Sequence, residues 1–274
     1  ASNWNTASVP TSTSRIAVTN GLTNYPVITD VAATGNSLDV SDQASIIISK
    51  NGSLTLANNL NNAGTVTLES DSDEFSSLLL SGTSSGDITY NRYVNMVGTD
   101  KWDLIGAPVS GMVFSSLITD TNIANNGSGV YAVGSYDNTT DTWTNSTSAT
   151  TGNLMLGQGY QMATTSGGTL SFTGSIANGD QTVTINNNNA ANSGAGRRWN
   201  LIANPFASYL NGNSNADGTN NFLTFNTAAI DDEFEAIYGW KADGTGYEIY
   251  NHAFNSNSAV FIAPGQGFFV AAAG

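Results

Sequence analysis

The chain contains no cysteine, one histidine and only seven basic residues among its 274. Without cysteine it has no disulfide framework, no thiol catalysis and no cysteine-ligated metal. A single histidine excludes paired-histidine zinc sites and argues against a histidine-based catalytic triad. The 21 acidic residues bring the formal charge to −14, which repels phosphate backbones, so no nucleic-acid partner is expected.

Charged side chains and long hydrophobic runs are also scarce. Charged residues make up 10% of the sequence, against about 25% in typical soluble domains. Asn, Ser, Thr and Gly supply the polarity instead, a pattern typical of extracellular β-proteins with many turns. No run of 18 apolar residues predicts a membrane span, so direct membrane insertion is not expected. The chain opens with Ala-Ser-Asn-Trp, and we interpret it as a piece of a longer exported protein.

Residues 1–95 have the pattern of short strands with one buried face. Pairs of apolar residues at a spacing of two are separated by turn-forming Asn and Gly. The pairs recur about every 8 to 12 residues, which suits the coils of a short β-solenoid, although a meandering β-sandwich produces the same pattern. These pairs are Leu38/Val40, Ile46/Ile48, Leu54/Leu56, Val66/Leu68, Leu78/Leu80 and Ile88/Tyr90.

The rest of the chain contains an internal repeat. Trp-Asp-Leu-Ile-Gly-Ala-Pro-Val at 102–109 matches Trp-Asn-Leu-Ile-Ala-Asn-Pro-Phe at 199–206, and Gly-Gln-Gly-Tyr at 157–160 matches Gly-Gln-Gly-Phe at 265–268. Between these segments, Tyr131 and Trp143 match Tyr238 and Tyr250 at an offset of 107. We therefore predict an all-β chain, with a short β-solenoid or sandwich over 1–95 and two related β-sandwich-like repeats over 96–190 and 191–274.

Each repeat contains a predicted hairpin flanked by aromatic residues. The turns are Asp-Asn-Thr-Thr at 137–140 and Asp-Gly-Thr-Gly at 243–246. Aromatic rings bind the apolar faces of sugars, and carboxylates accept hydrogen bonds from sugar hydroxyls. The predicted carbohydrate-binding residues are Tyr136, Asp137, Trp143, Trp240, Asp243, Tyr247 and Tyr250. The alternative is that these rings pack between strands.

One loop resembles the first half of a calcium site. Asn213, Asn215 and Asp217 alternate before Gly218, as oxygen ligands do in calcium loops. The glutamate expected six residues after the glycine is Thr224, so the pattern is incomplete. No cofactor is required by the sequence, and calcium at these three residues is a prediction.

Several motifs resemble modules of large secreted Bacteroidetes proteins. They are Trp-Asn at 4–5, Val-Pro at 9–10, Asn-Tyr-Pro-Val-Ile at 24–28, Tyr-Asn-Arg-Tyr at 90–93, and the repeated Trp-Asn-Leu-Ile-x-Asn-Pro and Gly-Gln-Gly-Tyr/Phe blocks. The resemblance implies export by the type IX secretion system and a place at the cell surface or outside the cell. Such modules accompany adhesins, gliding proteins and polysaccharide-degrading enzymes, and the motifs carry no catalytic residue.

The expected function is therefore that of a non-catalytic extracellular module for adhesion or polysaccharide binding. One alternative is a structural spacer or filament-forming unit, whose partners are copies of itself or neighbouring modules. Another is an accessory part of a polysaccharide-degrading enzyme. No pair of carboxylates has a spacing that singles it out for glycoside hydrolysis, so catalysis is not expected.

Overall fold

The computed structural model describes residues 8–29, 32–98, 101–188, 197–251 and 258–274. Nearly all its regular structure is β, as the alternating pattern predicts. A β-solenoid comes first and two antiparallel sheets follow. Within these ranges, the structure has no helix with the length and apolar character needed to cross a bilayer.

The N-terminal part is a β-solenoid, which decides between the two folds that the sequence left open. Its strands are β1 Arg15–Val18, β2 Val27–Ile28, β3 Ala33–Gly35, β4 Ser37–Val40, β5 Ser45–Ile48, β6 Ser53–Leu56, β7 Leu60–Asn62, β8 Thr65–Glu69, β9 Ser77–Leu80, β10 Ser84–Ser85 and β11 Ile88–Val94. Each pairs in parallel with the strand one coil away, giving faces β1-β4-β7-β10, β2-β5-β8-β11 and β3-β6-β9. Three coils are complete and a fourth begins.

The coils stack because every second side chain points inward. Leu38 lies opposite Leu60 and Leu54 lies opposite Leu78, and all four are buried. Alternation along a strand therefore becomes a continuous apolar column when strands from successive coils align. Gly64 lies at a corner, where a β-carbon would collide with the carbonyl oxygens of the preceding coil.

The first repeat continues directly from the solenoid. It comprises β12 Asp103–Ile105, the helix α1 Phe114–Ile118, β13 Val130–Asp137, β14 Thr142–Thr147, β15 Tyr160–Met162 and β16 Gly168–Gly174. Its sheet has the order β12-β15-β13-β14, whereas β16 pairs antiparallel with β11 and extends a solenoid face. Tyr90 of β11 lies opposite Phe172 of β16, and both belong to one hydrophobic core.

The second repeat has the same strand order. It comprises β17 Trp199–Ala203, β18 Leu210–Asn211, α2 Phe222–Asn226, a 3-10 turn Asp232–Phe234, β19 Ile237–Trp240, β20 Tyr247–Tyr250, β21 Phe261–Ile262 and β22 Gly267–Ala271. Its sheet is β17-β22-β19-β20, which matches β12-β15-β13-β14 strand for strand. The matching orders confirm that two related units follow the solenoid. The strand β18 pairs with β21 outside this sheet and lies between β17 and α2, where the second repeat is longer than the first.

The two sheets contact each other through the Gly-Gln-Gly segments, and the contact is reciprocal. The N–H of Gly159 donates to Leu201 O at 3.1 Å, and the N–H of Gly106 donates to Gly265 O at 2.9 Å. A β-carbon on Gly267 would lie 2.7 Å from the carbonyl carbon of Leu104. Glycine is needed here because another backbone lies where a side chain would start.

The strand registers correct one part of the repeat alignment. In the first hairpin Tyr136 lies opposite Trp143, and in the second Trp240 lies opposite Tyr247. These equivalent pairs are 104 residues apart, not the predicted 107. A β-bulge also lies between Val130 and Gly134 in the first hairpin.

A buried arginine joins the solenoid to the second repeat. Arg92 of β11 donates from Nε to Pro264 O at 2.9 Å and from Nη1 to Tyr93 O at 2.7 Å. Its guanidinium lies 4.1 Å above the ring of Phe75. Burial lowers the pKa of Arg92, and the nearby carboxylate of Asp103 opposes that shift. This arginine therefore links the second repeat, which contributes to the candidate site, to the solenoid.

Candidate functional site

An open groove lined mainly by aromatic side chains lies between the two sheets, beside both hairpins. Its volume is about 430 Å³. The first repeat contributes three lining residues and the second contributes five. The lining residues are Tyr136, Asp141, Trp143, Trp199, Tyr238, Tyr247, Ile249 and Phe269. We call this feature the aromatic groove.

Three hairpin rings meet on Phe269 of β22. The ring centroids of Tyr136, Trp143 and Tyr247 lie 5.1, 6.2 and 5.9 Å from that of Phe269, and all three rings are nearly perpendicular to it. Edge-to-face contacts of this kind are favourable because the positive ring edge meets a negative ring face. The contacts fix the rings in position before any ligand binds.

The sheet registers explain why these rings share one face. Directly opposed residues on antiparallel strands point to the same side, which places Tyr136 with Trp143 and Trp240 with Tyr247. Their ring centroids lie 5.2 and 5.0 Å apart. Trp143 remains 39% exposed and Tyr247 46% exposed, so part of each ring is open to a ligand.

Asp141 supplies the polar group of the groove. It has a positive φ of 57°, and its Oδ1 accepts a hydrogen bond from the Tyr136 hydroxyl at 2.7 Å. Burial raises the pKa of Tyr136, and the hydrogen bond to Asp141 raises it further. Burial and the charge of Asp141 also raise the pKa of Tyr247. Both phenols therefore keep their protons at neutral pH.

Four of the seven residues predicted to bind carbohydrate come together. Tyr136, Trp143 and Tyr247 line the aromatic groove, and Trp240 packs against Tyr247 in the same apolar cluster. Tyr250 lies elsewhere, because it packs on the opposite face of the second sheet against the core beneath α2.

The two predicted aspartates hold the hairpin turns. Asp137 accepts from the N–H of Thr139 at 2.8 Å, and Asp243 accepts from the Thr245 hydroxyl at 2.6 Å. Hydrogen bonds from those threonines hold the pKa of each carboxylate below its ordinary value. These carboxylates shape the turns that present the rings and do not line the groove.

The predicted calcium loop is held by its own hydrogen bonds. Asn213 is buried, and its Oδ1 accepts from the N–H groups of Ala216 at 3.2 Å and Val260 at 3.1 Å. Asp217 accepts from backbone N–H groups two and three residues later. Asn215 is exposed beside them. Calcium at this loop stays a prediction, and ligation by Asn213 Oδ1 must compete with two backbone donors.

Sequence reasoning missed several lining residues. Phe269 is equivalent to Gln161 of the first repeat. This replacement of a polar residue by an aromatic one was a sequence signal for a groove residue. Trp199 and Trp102 begin the two matching blocks, but their surroundings differ. Trp199 packs edge-on against Tyr238 in the groove, with 4.6 Å between the ring centroids, whereas Trp102 packs against three alanines. No sequence pattern indicated that Asp141 belongs to the groove, because only the hairpin geometry brings it to the Tyr136 hydroxyl.

Comparison with known proteins identifies a family. A family model for a domain of unknown function, DUF8693, matches residues 1–274. The chain belongs to this family. The match spans the solenoid and both repeats, so the groove lies within the family's own unit. Comparisons with curated proteins and with solved structures gave no match.

Proposed function

We propose that this chain is a non-catalytic extracellular module that binds polysaccharide in the aromatic groove. The observation that carries the proposal is the convergence of aromatic side chains from both hairpins on one open groove, with Trp143 and Tyr247 partly exposed. A groove rich in aromatic faces with a few polar groups suits sugars, whose rings have apolar C–H faces and hydroxyl edges.

The polar groups of the groove fit this ligand. The Asp141 carboxylate accepts hydrogen bonds from sugar hydroxyls, and the Tyr247 phenol donates or accepts them. Prearranged rings lower the entropy lost on binding, and the contacts on Phe269 provide that arrangement. Asp141 is the only carboxylate that lines the groove within the described ranges, which supports binding without glycoside hydrolysis, a reaction that needs two.

The export route and the cellular location of the module are also proposals. The motif resemblance supports a surface or secreted Bacteroidetes protein exported by the type IX system. The low charged fraction and the abundance of Asn, Ser, Thr and Gly support an extracellular location. In that setting the module would attach its parent protein to a glycan of the environment or of another cell.

A glycan array followed by affinity gels tests the proposal. We expect selective retention of the wild type, with binding about thirtyfold weaker or lost in Trp143→Ala and Tyr247→Ala, because hot-spot aromatics contribute at least about 2 kcal/mol. The matched control is Phe225→Ala, which removes an aromatic ring that is 72% exposed on α2, outside the groove. Equal loss in the control, or no retention on any glycan, would overturn the proposal.

A further inference from the structure

We propose that the aromatic groove is selective for polysaccharides bearing protonated amino groups, such as glucosamine polymers, over neutral or N-acetylated ones. This inference rests on the proposed function, because it names the ligand class of the same groove. It follows from the pairing of ring faces with an uncompensated carboxylate at one site.

Among the described residues, no ion pair engages the carboxylate of Asp141. The four ion pairs among the described residues join Arg15 to Asp39, Lys50 to Asp71 and Glu74, and Arg198 to Asp231, so none involves Asp141. In the part of the chain that the structure describes, the Oδ1 of Asp141 accepts a hydrogen bond from the Tyr136 hydroxyl, and its Oδ2 accepts none. A ligand ammonium would therefore meet a full negative charge.

Two basic residues close to the groove in the chain act on carboxylates outside it. Arg198 precedes Trp199 in the chain, but its Nη1 lies 2.7 Å from an Asp231 carboxylate oxygen. Lys241 is exposed in the second hairpin turn, and its charge acts on Asp243. With a net charge of −14 on the chain, the surrounding field attracts cations.

Aromatic rings and a carboxylate together recognise ammonium groups. The face of an aromatic ring attracts a cation through its quadrupole, with tryptophan the strongest, and an ammonium donates charge-assisted hydrogen bonds to a carboxylate. Trp143, Tyr136 and Tyr247 supply the rings beside Asp141. An N-acetyl group has no charge, so it loses both contributions while keeping the sugar ring.

Titration calorimetry with matched oligosaccharides tests the inference on the full chain. The probes are glucosamine oligomers, N-acetylglucosamine oligomers and glucose oligomers of equal length. We expect glucosamine oligomers to bind about tenfold more tightly than either other series, and this preference to shrink in high salt. Asp141→Asn should abolish the preference, because asparagine keeps the positive φ and the acceptor for Tyr136 without the charge. Asp42→Asn, which removes an exposed solenoid carboxylate, should leave it unchanged.

The outcomes distinguish a failure of the amino-sugar preference from a failure of the proposed polysaccharide binding. Equal binding of the three series, with loss in Trp143→Ala, would overturn the amino-sugar preference and leave polysaccharide binding standing. Binding of none would overturn the amino-sugar inference, and only the absence of retention on every glycan of the array would also overturn polysaccharide binding. A trimethyllysine peptide that binds more tightly than every oligosaccharide would also overturn the inference, since the ligand would then be a modified protein.

Discussion

Substituting alanine for Gly267 should loosen the contact between the two repeats. The new β-carbon would lie 2.7 Å from the carbonyl carbon of Leu104 and 2.9 Å from its oxygen. Both atoms belong to the backbone of β12, so no side chain can rotate away. The two sheets must separate by several tenths of an ångström, and overpacking of this kind costs about 1–3 kcal/mol.

That cost can be measured by thermal unfolding. For chains of about 150–250 residues, 1 kcal/mol shifts Tm by about 2–4 °C, so we expect Gly267→Ala to lower Tm by about 2–12 °C. The matched control is Gly218→Ala, because a β-carbon there meets nothing within 4 Å and its φ lies outside the positive region. The control should unfold at or slightly above the wild-type temperature, since alanine reduces the entropy of the unfolded chain.

The result also bears on the groove, whose lining residues belong to both repeats. If Gly267→Ala unfolds at the wild-type temperature, the close approach of β22 to β12 is not a tight contact and the reciprocal packing is refuted. A drop of the same size in Gly218→Ala would show a general intolerance of alanine and would equally contradict the argument.

Three further predictions concern stability. Asn204→Ala should cost about 2–4 kcal/mol by chemical denaturation, because the buried amide of Asn204 donates to three backbone carbonyls and accepts the N–H of Phe206; a cost below about 0.5 kcal/mol would contradict this role. The Lys50 ammonium holds the pKa of Asp71 at about 2, below its ordinary 3.8, so this carboxylate stabilises the fold above about pH 4 and loses its contribution towards pH 2. The Tm values of wild type and Asp71→Asn should therefore differ at pH 6 and converge at pH 2; a constant difference would refute the linkage. Calcium binding at Asn213, Asn215 and Asp217 should raise Tm in millimolar calcium relative to excess chelator, even though it must displace the two backbone donors of Asn213, and an unchanged Tm would contradict the predicted site.

Local patterns predicted six of the eleven solenoid strands but not their partners. Leu38 and Val40 reveal a buried face through alternation, which any half-buried strand shares. Pairing of Leu38 with Leu60 spans a whole coil, and neither residue encodes whether its partner runs parallel or antiparallel. The solenoid and the sandwich therefore stayed equivalent until the parallel registers were known.

The part of the candidate site that is formed by residues close in the chain was predicted from the sequence. Tyr136 and Trp143 flank one turn, so a hairpin brings them together. Phe269 enters from β22, more than 100 residues later, through the packing of the second repeat on the first. Tyr247 and Tyr250 are equally aromatic in sequence, and only the register of β20 directs one to the groove and the other to the opposite core.

The most direct test of the groove uses the indole N–H signals of the five tryptophans, assigned with single Trp→Phe variants. Titration with the oligosaccharide that binds most tightly should shift the signals of Trp143 and Trp199, which line the groove. The signal of Trp102, packed against alanines outside it, should stay in place. A shift of Trp102 with Trp143 unmoved would place the ligand elsewhere and contradict the account.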